Sequence, residues 1–178
     1  MGVTVLVACS HGKSNSGAVS QSLTPTYEGT PALLVASAVA GTKSIFTLSL
    51  GGAIHARLSS DGPGSLISCE LSDGQLRIGM SGTSLGSRYE LRIYQYPFTL
   101  GDYRLTGVKN PSTDEIQAEV IANNDQRTWA LTATAGQGII GLHQSEPGVI
   151  FGNLNGNFED RMGVTNVIVS AAFYCIMS

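Results

Sequence analysis

Apolar and polar residues alternate along most of this chain from residue 45 onward, and this period of two restricts its fold more than any other feature. The clearest case flanks the dipeptide Asp73-Gly74, where every second residue is apolar in 67–71 and again in 76–80. A period of two places successive side chains on opposite faces of a β-strand. Asp-Gly favours a type I′ turn, which needs positive φ at both central residues. The pattern therefore predicts a β-hairpin over 67–80.

The same alternation recurs in short segments that are separated by turn residues. The other predicted strands are 45–50, 53–58, 88–94, 101–105, 116–122, 128–134, 138–143, 149–158 and 164–176. No helical stretch of ten residues is predicted after residue 44. About ten short strands with this turn spacing are typical of a sandwich or a barrel. We therefore predict an all-β fold, an antiparallel β-sandwich or a partly open barrel, with a flexible N-terminal tail.

The charge of the chain is low and evenly spread. Charged residues make up 13% of the 178 residues, the net charge is −3, and no run of Lys or Arg occurs. This is about half the usual charged share, and it gives no electrostatic footprint for nucleic acid. Gly, Ser, Thr and Asn fill the difference, as they do in exported β-rich proteins. We therefore expect an exported protein that does not bind nucleic acid.

The N-terminus carries a pattern typical of lipid anchoring. The segment 6–9, Leu-Val-Ala-Cys, resembles a bacterial lipobox, in which a small residue precedes the cut and the thiol of Cys9 takes the lipid. Residues 1–9 are then the remnant of the signal and lipobox, residues 10–30 a Ser/Gly-rich tether, and residues 31–178 a single β domain. This predicts a protein held by its lipid at a bacterial membrane, in the periplasm or at the cell surface. Because only eight residues precede Cys9 and none is basic, an apolar first strand ending at Cys9 is the alternative.

The two remaining cysteines fit the same compartment. Cys69 and Cys175 both fall on the apolar face of a predicted strand. A disulfide between them is one prediction, since exported proteins retain such bonds. Two reduced cysteines in the core are the alternative.

A longer series of strand and turn motifs runs through the domain. It consists of Leu76-Arg77-Ile78, Tyr89-Glu90-Leu91-Arg92-Ile93, Leu100-Gly101-Asp102-Tyr103-Arg104-Leu105, Thr128-Trp129-Ala130-Leu131, and the segments 138–142, 150–158 and 164–173. Over roughly residues 45–176 this order resembles small lipoproteins of unknown function from Bacteroidetes-type bacteria. The resemblance implies a β-sandwich lipoprotein and brings no activity or site residues. Ala171-Ala172 departs from it, since that family usually has Asn-Gly there.

One motif raises the question of catalysis. Residues 82–86, Gly-Thr-Ser-Leu-Gly, match the G-x-S-x-G nucleophile elbow, which requires a strand before Ser84 and a helix after it. Here β-patterned segments lie on both sides, so a turn already explains the residues. We expect no catalytic residue.

Metal and ligand sites are weakly marked. His11, His55 and His143 lack the spacing of metal ligands, so no metal or cofactor is expected, and the last two are predicted on the surface. Aromatic residues are densest around Tyr94, Tyr96, Phe98 and Tyr103. With Trp129, the three tyrosines form a candidate ligand-binding patch for carbohydrate or peptide. The alternative is that most of them fill the core.

These features favour a non-catalytic exported lipoprotein, a structural or binding module at the cell envelope. Its expected partners are the membrane, through the lipid anchor, and a protein or carbohydrate ligand. The first alternative is a self-assembling exported subunit (a fibre, adhesin or virion component) whose N-terminal strand pairs with a neighbour's sheet edge. The second is a hydrolase that uses Ser84.

Overall fold

The computed structural model describes residues 43–124 and 127–177, and within them the chain is built from β-strands without a helix. The strands are β1 (Ile45–Gly52), β2 (Ala56–Ser59), β3 (Leu66–Ser72), β4 (Gln75–Ser84), β5 (Ser87–Gln95), β6 (Gly101–Thr106), β7 (Glu115–Asn123), β8 (Thr128–Glu146), β9 (Val149–Glu159) and β10 (Asn166–Ile176). The predicted all-β fold is confirmed. The described part contains no helix that is long and apolar enough to cross a membrane. Cys9, the segment 1–9 and the tether 10–30 lie outside the described residues.

All ten strands belong to one mixed sheet that is not closed into a barrel. Their order across the sheet is β2-β1-β10-β9-β8-β6-β7-β5-β4-β3. Every neighbouring pair is antiparallel except β6 and β7, which run parallel over three residues. The prediction of a wholly antiparallel arrangement is therefore wrong at this pair, because alternation along a strand does not reveal the direction of its neighbour.

Strand β8 is long and pairs along its length first with β7 and then with β6. Its first part, 128–132, pairs with β7, and its second part, 139–142, pairs with β6. Between the two, its register against β9 shifts from Ala133 to Gly138. Such a bulge bends a strand without ending it. The two strands predicted at 128–134 and 138–143 are therefore one strand with an irregular middle.

Tight hairpins join the strands at the β3 end of the sheet. Asp73 and Gly74 both have positive φ, 52° and 73°, as a type I′ turn requires, and the predicted hairpin over 67–80 is confirmed. Leu85 and Gly86 repeat this geometry between β4 and β5, with φ of 50° and 77°. The Leu85 side chain is 89% exposed and points away from the core.

The inner face of the sheet carries one continuous core. Its largest fully buried side chains are Phe46, Leu48, Leu76, Ile78, Met80, Leu91, Ile93, Leu105, Ile116, Leu131, Phe158 and Phe173. A small second cluster lies on the outer face, where Val149 and Tyr174 are buried against Ile45 and Phe151. On most strands the buried face follows the alternation in the sequence, but Leu71 of β3, which the alternation places inward, is 38% exposed.

A disulfide links the terminal strand β3 to β10, the third strand from the other end of the sheet. Cys69 of β3 and Cys175 of β10 are bonded, their Cα atoms are 6.0 Å apart, and 106 positions separate them in sequence. β3 is a terminal strand and pairs with β4 alone among the described strands. Of the two alternatives for these cysteines, the structure has the paired one, and the pair connects this terminal strand to β10.

The connection between β9 and β10 is organised by one carboxylate. Asp160 accepts hydrogen bonds from the backbone N–H groups of Met162 and Val164, each at 3.0 Å. A hydrogen bond with the Thr165 side chain is the largest cause, and these backbone bonds a further one, of a lowered pKa at Asp160. Hydrogen bonds to the ionised form favour it. The turn is therefore shaped around a charged Asp160.

Candidate functional site

The outer face of the sheet holds two adjoining cavities that meet at Tyr94. In the strand register Tyr94 of β5 lies between Arg77 of β4 and Gln117 of β7. The larger cavity has a volume of about 500 Å³ and the smaller about 330 Å³, and Tyr94 lines both. We call them the ion-pair cavity and the amide cavity after the side chains that line them.

The ion-pair cavity contains fixed charges of both signs. Arg92 forms two parallel hydrogen bonds to Glu90, at 2.8 and 3.0 Å, and its guanidinium lies 3.7 Å from Glu119. The hydrogen bond to Glu90 raises the pKa of Arg92 above its usual value, more than burial lowers it. Glu70 and Arg77 add one further charge of each sign. The lining therefore carries two charges of each sign, and Glu119 beside Arg92 adds one further negative charge.

The amide cavity combines aromatic rings with carboxamides. Its lining consists of Gln75, Tyr94, Gln95, Tyr96, Asn110, Pro111 and Gln117. Tyr96 is 66% exposed, so much of its ring is free to contact a ligand. Gln75 is already oriented, because its Oε1 accepts two hydrogen bonds from Arg77, at 3.1 and 2.8 Å.

Gln95 is the least satisfied residue of the amide cavity. Its side chain lies on the inner face of β5, as Ile93 does, and is only 4% exposed. Its Nε2 donates a 3.4 Å hydrogen bond to Thr99, while its Oε1 is buried without a hydrogen-bond partner in the described structure. Buried carbonyl oxygens usually have a partner. Gln95 therefore stands out as a polar group with unused hydrogen-bonding capacity.

The four aromatic residues predicted as one patch lie in two different places. Tyr94 and Tyr96 line the amide cavity together. Tyr103 is 8% exposed in the core and shares a hydrogen bond with Thr99. Trp129 is half-buried and packs against the core. The carboxamides of the cavity escaped the sequence analysis, because their convergence depends on the pairing of β5 with β7.

Ser84 does not occupy a nucleophile elbow. It is the last residue of β4 and pairs with Ser87, the first residue of β5. The chain between them is the two-residue turn at Leu85-Gly86, and a strand follows where the elbow requires a helix. Ser84 therefore lacks the backbone geometry that activates the serine in that motif.

His55 and His143 are both exposed, as predicted. His143 lies on β8, with its ring centroid 5.3 Å from that of Phe151 on β9. In the described ranges no group of three or more His, Cys, Asp or Glu side chains comes together as a metal site. Nε2 of His143 and Oδ1 of both Asp102 and Asn153 lie about Gly141, each 2.9–3.0 Å from the position that a Cβ would take there.

Comparisons with protein-family models, with curated proteins and with solved structures found no match for this chain. The resemblance to small lipoproteins therefore rests on the sequence motifs alone.

Proposed function

We propose that this chain is a non-catalytic exported module, anchored to a bacterial membrane through Cys9, that binds a neutral oligosaccharide in the amide cavity. The observation that carries the proposal is the grouping of two tyrosine rings and three exposed or half-buried carboxamides around one cavity of about 330 Å³. Ligand pockets are commonly about 300–1,000 Å³, so this volume suits part of a chain molecule.

The chemistry of the lining matches that of a sugar. A pyranose ring has an apolar face of C–H groups, which packs on an aromatic ring such as Tyr96. Its hydroxyls both donate and accept hydrogen bonds, and a carboxamide likewise does both without charge. Gln75, Asn110 and Gln117 supply three such groups. Among the described residues no charged side chain lines the amide cavity, which suits a neutral ligand.

The disulfide supports the exported location. Disulfides persist in oxidising compartments and are rare in the cytosol. A bond that joins β3 to β10 across 106 positions is a structural use of cysteine. Lipid attachment at Cys9 would then hold the β domain outside the cytoplasm.

We expect the full-length chain to be retarded in native gels that contain a soluble neutral polysaccharide, tested over a panel of α-glucan, β-glucan, xylan, mannan and galactan. Tyr96→Ala removes the exposed stacking surface, and we expect it to weaken binding about tenfold, as loss of a central aromatic contact commonly does. Met162→Ala is the matched control, because Met162 is 83% exposed and lies outside the cavity. Migration of the parent chain unchanged in all five gels contradicts the proposal, and so does equal retardation of Tyr96→Ala.

The anchor is tested separately by the mass of the mature N-terminus, after expression of the full native gene in a bacterium that processes lipoproteins. We expect Cys9 to be the first residue and to carry diacylglycerol. An unmodified Met1 or Gly2 would reject the anchor and favour the self-assembling subunit.

The self-assembling subunit has one structural observation in its favour. The terminal strand β3 exposes Leu66 (61%) and Leu71 (38%) at a sheet edge, where another strand can add. Concentration-dependent oligomers in sedimentation would then be expected.

A further inference from the structure

The outer face of the sheet contains a second polar grouping, centred on a glycine. Gly141 of β8 pairs with Asp102 of β6 on one side and with Asn153 of β9 on the other. A Cβ placed on Gly141 would lie 2.9 Å from Oδ1 of Asp102, 3.0 Å from Oδ1 of Asn153 and 3.0 Å from Nε2 of His143. Three polar atoms from three adjacent strands therefore surround the space above a residue without a side chain. We call Asp102, His143 and Asn153 the Gly141 cradle.

The cradle atoms are not engaged with one another or with other side chains. Within 43–124 and 127–177 the structure describes no hydrogen bond or ion pair for the side chains of Asp102, His143 or Asn153. Both Oδ1 atoms are acceptors, and the imidazole Nε2 is an acceptor in the tautomer that carries its proton on Nδ1. With His143 in that tautomer, three lone pairs face a common space and can together ligate one cation.

We propose that the Gly141 cradle binds a divalent transition metal ion, with Zn²⁺ as the probe of this class. Imidazole suits Zn²⁺, Ni²⁺ and Cu²⁺, and a carboxylate and a carboxamide oxygen complete three protein ligands. Water fills the remaining position, as in zinc sites with three protein ligands. The ion lies outward of the Cβ position, at bonds of about 2.0–2.2 Å. The exposed Asp102 and His143 side chains close on it by rotation.

The surroundings favour this geometry over a chance approach. The Phe151 ring lies beside the His143 imidazole, with 5.3 Å between the two ring centroids. Gly141 leaves room for the approach, since a Cβ at this position would stand 2.9–3.0 Å from all three atoms. Local sequence spacing does not predict the site, because its ligands come from positions 102, 143 and 153.

The test is calorimetric titration of Zn²⁺ into the full-length chain carrying Cys9→Ser, so that no free thiol competes for the metal. We expect one ion per chain and a rise in melting temperature on adding Zn²⁺, because a ligand that binds the native state stabilises it. Gly141→Ala keeps all three ligands and fills the cradle with one methyl group. We expect Gly141→Ala and His143→Ala to bind Zn²⁺ at least about tenfold more weakly than the parent. Loss of a residue that only hydrogen-bonds to a metal ligand already lowers metal affinity by that factor. His55→Ala is the matched control and binds as the parent does.

Three results would overturn the proposal. The first is the absence of saturable heat up to about 1 mM Zn²⁺. The second is equal affinity in Gly141→Ala and the parent, since binding would then lie elsewhere. The third is binding that survives His143→Ala and is lost in His55→Ala or His11→Ala. Thermal unfolding without metal shows whether each variant is folded, so a loss of binding is distinguished from a loss of structure.

Discussion

Replacing Cys69 and Cys175 together by alanine is expected to lower the free energy of unfolding by about 4 kcal/mol relative to the oxidised protein. The bond closes a loop of 106 positions. In the chain-entropy model, a cross-link over a loop of that size raises the free energy of the unfolded chain by about 4.7 kcal/mol. Losses of about 2–5 kcal/mol are found when native disulfides are removed from small exported domains. Alanine is the better replacement, because both positions are buried and serine would add a buried hydroxyl.

The effect should be strongest at β3. This strand pairs with β4 alone among the described strands, and two of its larger side chains, Leu66 and Leu71, are exposed. Its inward anchor is Cys69, which is 6% exposed. Without the disulfide, amide hydrogens of residues 66–72 should exchange faster than those of β9, since local opening is easiest where few apolar contacts hold a strand.

Denaturant unfolding of three samples measures the loss: the oxidised parent, the parent reduced with a thiol reagent, and the double alanine variant. The reduced parent and the variant should agree to within about 1 kcal/mol, the cost of deleting small buried groups. Equal stability of oxidised and reduced parent would show that the bond contributes nothing. Thiol labelling of both cysteines in unreduced, denatured protein would show that it does not form.

The hairpin, the faces of most strands and the inward placement of both cysteines were predictable because each depends on local sequence or on burial alone, whereas the bond between the cysteines was one of two alternatives. Asp73-Gly74 specifies its turn through the φ values that it tolerates, and the alternation around it decides which side chains face the core. Cys69 and Cys175 were placed on inward faces by the same alternation. These are properties of single strands.

The order of strands and the sites were not predictable, because they depend on which strands are neighbours. The parallel pairing of β6 with β7 and the double pairing of β8 have no signature within one strand. Asp102 meets His143 and Asn153 only because β6, β8 and β9 lie side by side. Of the predicted aromatic patch, Tyr94 and Tyr96 share a cavity because they are two positions apart on one strand, while Tyr103 belongs to the inner face of another.

Gly152→Ala is expected to destabilise the protein by about 3 kcal/mol, the upper part of the usual range for an extra buried carbon in a full core. Gly152 lies on the inner face of β9, opposite Phe173 of β10. A Cβ there would be 2.7 Å from Cζ of Phe173 and would collide with the backbone carbonyl oxygen of Gly141. The ring can shift, but a carbonyl that belongs to the sheet cannot rotate away.

Gly51→Ala is the matched control, because Gly51 also pairs with β10 and a Cβ there meets nothing within 4 Å. We expect it to be neutral or to stabilise by about 0.5 kcal/mol, since alanine restricts the unfolded chain. In a Phe173→Leu background Gly152→Ala should cost roughly 1 kcal/mol less, a coupling typical of residues in contact. The destabilisation that remains in this background reflects the collision of the new Cβ with the Gly141 carbonyl oxygen. Urea unfolding of the parent, the three single variants and the double variant measures these costs, and equal costs for Gly152→Ala and Gly51→Ala would mean that β9 and β10 do not approach as described.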